Sequence, residues 1–418
     1  SLQSNWQSSY YSDLKLNTLY YFAATAAKDG ESSAVKTSDN FVIYKATDFA
    51  TIPKIAAYYG VDFNTVLSDN DAQDTLVVAG NTIFIRNPRT SKAFVSSGLT
   101  DAEKAEADIL LNGRNQNCEF GFEPINLNTG NFYMNQQDVS VTDIGGAFAI
   151  NRNYNSRAGK INSVFGYGWT FDYDECLSMQ ADGSILYKRG DGSIMTMKKG
   201  ADGSYHAPAG YEYTLKPSYK SGIIQSWKLT DGAYTVKTFD TYGMLKSVTD
   251  CQGNTTTISY DGDWKISALT SPSGKKYKFT TDSQGRITGI TLPNESKLKY
   301  TYDGNGNLTS YTNANGDTIR YTYNSSHYMT SWYDANENCV VTNKYDSKGR
   351  VVEQTDAEGN IAKLSYSDGK TVTVDNNGNQ TIYHYNEHKY TTKIEYPDGS
   401  VETKTYNSDN YVATETDK

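Results

Sequence analysis

Tyr302-Asp303-Gly304-Asn305-Gly306-Asn307-Leu308 decides the fold of this chain. An aromatic opener is followed by Asp, whose side chain can bond the backbone two residues on, and by glycine able to supply the positive φ of a tight turn. The spelling returns about every 21 residues, with openers at Phe239, Tyr260, Thr281, Tyr302, Tyr323, Tyr345, Tyr366, Tyr385 and Tyr406. Four residues after the opener stands Gly243, Gly285, Gly306 or Gly349. Six after it comes an apolar residue, among them Leu245, Ile287, Met329 and Val351, and fourteen after it a second glycine such as Gly253, Gly316 or Gly399.

Each unit therefore holds two turns. The runs between turns, about six residues rich in Thr, Tyr, Ile and Val in period-2 order, are too short for helices and read as strands. Nine units make nine β-hairpins, or about 18 strands. Tyr300 with Tyr302, Tyr321 with Tyr323 and Tyr383 with Tyr385 sit two apart, so each pair projects from one face of its strand and an aromatic ladder is expected there. Trp264, His327, Lys389 and Asn410 stand where the first turn wants glycine, and the Tyr366 unit is shorter, with Gly369 and Gly378, which predicts bulges or altered turns in those units.

Composition agrees with a thin, sheet-rich object. The 418 residues are 37% hydrophobic, yet include 35 Tyr and 34 Gly. Tyrosine carries a large apolar ring and a hydroxyl that can stay wet, so a sheet with partly exposed faces can still bury much area. The net charge of -9, with Lys and Arg scattered, leaves no basic stripe for phosphate backbones, and no nucleic-acid partner is expected. Cys118, Cys176, Cys251 and Cys339 are far apart, match no zinc spacing and read as free thiols before disulfides. No run of 18 apolar residues suggests a transmembrane segment. Neither a starting Met nor a signal peptide is visible, so a piece of a longer protein is expected.

Ahead of the repeats the pattern changes. Around Leu14-Lys15-Leu16-Asn17-Thr18-Leu19-Tyr20-Tyr21-Phe22 and Lys28-Asp29-Gly30, two strands resemble the last two of a fibronectin type III module, with Tyr20 in the tyrosine-corner place; residues 1–40 are taken as its C-terminal remnant. Residues 41–88 read as strand, helix (Ile52 to Tyr59), second helix after Asp62, and strand. Thr51 can cap the first helix and Pro53 falls in its first turn. Through Ile55-Ala56-Ala57-Tyr58-Tyr59-Gly60-Val61, Val66-Leu67, Asn70, Gly80 and Ile83-Phe84-Ile85, this βααβ stretch resembles a LysM module. The resemblance implies contact with a peptidoglycan- or chitin-like glycan through Thr51, Ile52, Asn70, Leu76 and Val78, although Phe49-Ala50-Thr51-Ile52 replaces the usual Gly-Asp-Thr-Leu. Residues 89–117 read as a linker with one helix, capped by Thr100 with Glu103 three residues on and ended near Gly113.

Residues 118–235 contain Pro124-Ile125-Asn126-Leu127-Asn128-Thr129-Gly130-Asn131-Phe132, Arg152-Asn153-Tyr154-Asn155-Ser156 and Phe165-Gly166-Tyr167-Gly168-Trp169, then Asp-Gly-Ser turns at Asp182, Asp191 and Asp202. Followed by repeats over 236–418, this order resembles the start of the repeat region in bacterial Rhs and wall-associated proteins, the YD-repeat family. The resemblance implies a mainly β fold in which successive hairpins form a curved sheet. It also implies a secreted or cell-surface, cell-wall-associated scaffold, whose longer version winds into a shell around a C-terminal effector, often a toxin. The D-P-x-G motifs associated with self-cleavage in that family do not occur; Pro397-Asp398-Gly399 has the wrong order. This strip is expected to be too short to close, leaving an exposed edge at its final hairpin.

No enzyme constellation stands out, and neither a cofactor nor a metal is expected. His384 and His388 bracket Glu387 across a turn, not on a helix as H-E-x-x-H would be, and His206 and His327 are isolated. There is no G-x-S-x-G elbow or Walker loop, and Gly304 and Gly306 belong to the repeat turn. Arg152 near Trp169 reads as cation–π packing more readily than as a pocket. Two functions of different class remain: a non-catalytic shell scaffold, and an adhesion protein anchored to cell-wall carbohydrate through the LysM-like module.

Overall fold

The computed structural model describes residues 14–24, 27–28, 31–32, 36–71, 76–97, 99–100, 104, 113 and 117–418. The helix expected between Thr100 and Gly113, with Glu103, lies for the most part outside the described residues, as do Asp29 and Gly30 of the first expected turn.

Near the start, Lys36–Lys45 is the central strand of a three-stranded antiparallel sheet, flanked by Tyr20–Ala24 and Thr82–Arg86. It runs unbroken across position 40. Helices Ile52–Tyr59 and Phe63–Asp69 lie between these strands in sequence. The first is capped by Thr51 Oγ1, which accepts from the Lys54 N–H at 3.4 Å, and closed by Gly60 in the left-handed region; the second is capped by Asp62. Their apolar faces join Val42, Tyr44, Ile83 and Ile85 in one small core.

The dominant feature is a single antiparallel sheet of 24 strands, among the described residues, running in strict chain order from Cys176–Met179 to Val412–Thr416. Eighteen of these strands follow Val236, two for each repeat; six precede it, so the sheet passes without a break from the expected β-rich module into the repeats. Between Phe239 and Lys418 the described chain holds strands and turns and no helix.

Every first turn except that of the Tyr366 unit is built alike. In the Tyr302 unit, the Asp303 carbonyl accepts from the Gly306 N–H at 3.1 Å, the Asp303 N–H donates to the Asn307 carbonyl at 3.0 Å, and Asp303 Oδ1 accepts from the N–H groups of Asn305 and Asn307 at 2.9 Å each. The expected bulge is present in the units without glycine, while the turn itself is unaltered. Trp264, His327, Lys389 and Asn410 adopt φ values of 59, 65, 62 and 63°, and Asp261, Asn324, Asn386 and Asn407 hold the same pair of backbone N–H groups. The side-chain clamp outweighs the cost of a non-glycine left-handed residue, about 1–2 kcal/mol. A register shift occurs in glycine-bearing and glycine-free units alike. It is absent from the Tyr366 unit, where a two-residue turn at Asp368-Gly369 replaces the longer one.

The sheet coils around residues 118–171. There, Tyr133–Asp143, Gly146–Asn155 and Trp169–Phe171 form a separate three-stranded sheet, whose apolar residues merge with the inner face of the long sheet into one core reaching from Ile125 to Leu364. We call this segment the plug. As expected of so short a strip, the sheet does not close and its last strand is an exposed edge, but the turn before that strand comes round far enough to touch the coil near its start. Asn410 Nδ2 donates to the Ala209 carbonyl at 3.1 Å, and the Tyr411 hydroxyl to Glu212 Oε1 at 3.3 Å. Nineteen strands separate the two sides of this seam, a path of ~90 Å at ~4.8 Å per strand. The six extra strands ahead of Val236 and a ready-made core to wrap account for this contact.

Candidate functional site

The most heavily built region is the interior of the coil. In the plug, Asp138 falls at a bulge where the pairing shifts between Gln137 and Val139. The bulge turns its carboxylate inward to Arg152, and both side chains are fully buried. Arg152 Nη2 donates to Asp138 Oδ1 at 2.9 Å, and the Tyr300 hydroxyl of the wall donates to Asp138 Oδ2 at 2.7 Å. The guanidinium lies 4.6 Å from the Tyr311 ring centroid and 4.9 Å from that of Trp169. Burial pulls the Arg152 pKa down, but the adjacent Asp138 carboxylate outweighs it, so the group is held well above its ordinary value and stays charged. The pair fastens plug to wall by aromatic stacking and one hydroxyl, a structural use of the arginine. The sequence offers no signal for Asp138, because its inward turn depends on the bulge.

The opener tyrosines are the second component. The hydroxyls of Tyr260 and Tyr302 donate to the carbonyls of Leu245 and Ile287, and those of Tyr345, Tyr366 and Tyr406 to Met329, Val351 and Thr391, at 2.5–2.9 Å. Tyr385 reaches the Ser367 carbonyl at 3.2 Å, and Tyr323 instead accepts from Trp169 Nε1 at 2.8 Å. Phe239, lacking a hydroxyl, is wholly buried in the core. Burial raises the pKa of Tyr260, Tyr302, Tyr323, Tyr345 and Tyr366, so these phenols remain neutral donors. The aromatic face is thus packed against the plug, and the opener hydroxyls are satisfied by backbone or plug partners, whereas the buried Tyr321 hydroxyl has no hydrogen-bond partner among the described residues.

Where plug meets sheet, buried charges are matched. Lys188 Nζ lies 3.0 Å from Asp174 Oδ2 and Lys237 Nζ 2.6 Å from Glu175 Oε1, which also accepts from the Gly190 N–H; the Tyr187 hydroxyl donates to Glu175 Oε2 at 2.6 Å. Beside them lies a cavity of about 260 Å³, walled by Tyr58, Phe94, Tyr167, Tyr260, Trp264 and the Asp174-Glu175 pair. Phe63 of the second helix packs on the rings of Trp264 and Tyr242, at 4.7 and 5.0 Å between centroids. The strained Trp264 turn thereby docks the helical segment on the repeat rim.

The residues singled out for glycan contact are placed as follows. Thr51 and Ile52 are buried at the start of the first helix, and Thr51 caps it. Asn70 donates through Nδ2 to the carbonyls of Val66 and Phe84 and accepts the Phe84 N–H, tying the second helix to strand Thr82–Arg86. Leu76 is buried against the repeats near Gly243, and Val78 forms a bridge to Met179 at the first edge of the long sheet. Three places result: the cap, the end of the second helix and the sheet edge. The histidines stay apart: His206 faces Asp202, His327 stacks on Tyr167, His384 lies 2.8 Å from Glu395, and His388 is on a turn. Among the described residues no group of three potential metal ligands occurs, the four cysteines are unpaired, and no helix is long and apolar enough to cross a membrane.

Residues 282–318 and 302–338 match the family model "RHS Repeat", and residues 122–197 match a domain of unknown function, DUF6531. The chain carries RHS repeats. The two repeat matches begin 20 residues apart, at the spacing of the hairpin units, and the DUF6531 match covers much of the plug and the first strands of the sheet. Over 113 residues the chain is 30% identical to the tRNA nuclease WapA of Bacillus subtilis (strain 168), and 29% identical to a tRNA3(Ser)-specific nuclease WapA of Bacillus spizizenii. Those matches span 27% of this chain and only 5% of the relatives' length. Among solved structures, the TcdB2-TccC3-TEV crystal structure aligns over 68% of this chain and 19% of its own, at 10% identity and a TM-score of 0.32. A Photorhabdus luminescens Tc holotoxin pore aligns over 66% and 19%, at 12% identity and a TM-score of 0.28.

Proposed function

We propose that this RHS-repeat chain is a non-catalytic scaffold of a secreted or cell-surface protein. It is the opening part of a β-shell that encloses a C-terminal effector, with the plug closing one end. The observation that carries this reading is the single core shared by plug and wall: a sheet that coils through a full circuit around its own upstream segment is a container wall with its end already filled. The matched WapA proteins are named as nucleases, but the match spans 5% of their length, so it lends no support to a nuclease activity in this chain. Attachment to cell-wall glycan is the weaker reading, because Thr51, Ile52 and Leu76 are buried and Asn70 is engaged in holding a helix.

The test is limited proteolysis of the native polypeptide containing this chain, with tRNA cleavage assayed alongside. Sequence downstream of the repeats should resist digestion until the sheet is cut, and the 418-residue chain should leave tRNA intact. Downstream sequence digested at the rate of a free chain while the sheet is whole would refute the container, and cleavage of tRNA by these residues would refute the scaffold.

A further inference from the structure

In four of the units that carry the register shift, which the Tyr366 unit lacks, the wall leaves a backbone N–H to the interior. In the Thr281 unit, Thr281 pairs with Ile287 but Thr280 with Gly289, so Thr288 is extra, and the next ladder begins only at Gly289 with Lys299. Ile287, six after the opener, is left between ladders. Its carbonyl is taken by the Tyr302 hydroxyl of the following unit at 2.6 Å. Its N–H donates into the interior, to the carbonyl of Val164 in the plug, at 2.7 Å.

The arrangement recurs at the same position of three other units. The N–H of Met329 donates to the Tyr154 hydroxyl oxygen at 2.7 Å, that of Val351 to the Gly130 carbonyl at 2.9 Å, and that of Thr391 to the Asn117 carbonyl at 3.0 Å. The order is monotonic: as the unit number rises, the interior partner moves back along the chain from 164 to 154, 130 and 117. Three of the four acceptors are main-chain carbonyls, which every residue possesses.

We propose that, in the units carrying the register shift, the residue six after the opener is a docking position for polypeptide inside the coil, through which the wall holds an interior chain by its main chain, largely irrespective of sequence, one N–H per such unit. This rests on the container reading and extends it to how contents are gripped. The opener tyrosine then has a defined part: it occupies the carbonyl of the docking residue, leaving the N–H as the group presented inward. Units wound beyond the plug would offer the same row to extended segments of an enclosed chain.

The experiment is residue-resolved amide hydrogen exchange on the full 418-residue chain, each rate read as a ratio to the other amides of the same strand so that general loosening cancels. In Tyr154→Phe, which removes the acceptor oxygen together with its donation to the His327 carbonyl, the Met329 amide should exchange at least tenfold faster in that ratio, with Ile287, Val351 and Thr391 unchanged. In Val164→Ala, which keeps the carbonyl, Ile287 should remain protected. An unchanged Met329 ratio in the first variant, or loss of Ile287 protection in the second, would overturn the proposal. Neither result depends on whether an effector is enclosed, so the docking row and the container stand or fall separately.

Discussion

The two edges of the long sheet meet different fates. At the first, Leu177 donates to the Gly243 carbonyl at 2.9 Å, Met179 accepts from Ala79 at 3.0 Å, and Leu177 and Cys176 are almost wholly buried. At the last, Val412–Thr416 pairs with Val401–Tyr406 alone and all five of its residues are exposed. The margin is thus closed where Ala79 from upstream and the first repeat turn at Gly243 cover it, and an open template where nothing does. What separates the two is whether other chain reaches the edge.

The largest effect should come from removing the fastening between plug and wall. Asp138→Ala leaves Arg152 charged and buried without its carboxylate, a loss of about 3–5 kcal/mol. In a denaturant titration the wrapped region should lose stability by that order, while amides of the final hairpin, which has no apolar seat on the plug, keep their exchange rates. If Asp138→Leu combined with Arg152→Met restores most of the loss, the pair serves register more than stability. Equal loosening of the final hairpin would erase the distinction between the regions.

A sharper comparison uses two glycines of nearly identical conformation. Gly243 (φ 85°) faces the capped edge, where an added Cβ would meet the Leu177 carbonyl oxygen and a Leu76 methyl, each at 2.8 Å; Gly399 (φ 84°) faces open space. Gly399→Ala carries only the left-handed penalty, about 1–2 kcal/mol. Gly243→Ala should cost about 1–3 kcal/mol beyond that, because backbone must move to admit the methyl group. Equal costs for the two substitutions would show that the covered edge is soft and that its closure adds little.

Much of this was legible in sequence, for local reasons. The hairpins follow from turn spelling and period-2 order, and helix Ile52–Tyr59 from its cap, Pro53 and Gly60, since each signal lies within a few residues of what it dictates. The persistence of the turn at Trp264 and His327 was missed because glycine was given more weight than the Asp or Asn three residues earlier. The interior was not legible. Asp138 with Arg152, Trp169 with Tyr323 and Gly130 with Val351 join residues 14, 154 and 221 positions apart, and periodicity carries no signal for which plug residue meets which repeat. Burial of Thr51, Ile52 and Leu76 likewise depends on neighbours brought together only by the fold.

The smallest predicted effect lies at the joint between the plug and the first edge. Asp172 accepts the N–H and Nδ2 groups of Asn151 at 3.1 and 2.7 Å, yet burial dominates and pushes its carboxyl up to about 6. An acid whose folded pKa exceeds its unfolded value of about 3.9 is destabilising while ionised. The penalty is fully present above about pH 6 and is relieved as pH falls from there toward 4. The natural chain should therefore gain about 1 kcal/mol relative to Asp172→Asn between pH 7 and pH 5, read as the difference of their denaturation midpoints at each pH. The opposite sign would mean that Asn151 stabilises the carboxylate more than burial disfavours it. No such difference is expected from Asp398 of the last units, whose hydrogen bonds to the side chain and backbone of Ser400 hold its carboxyl below the usual range, so that its contribution is lost only at more acidic pH.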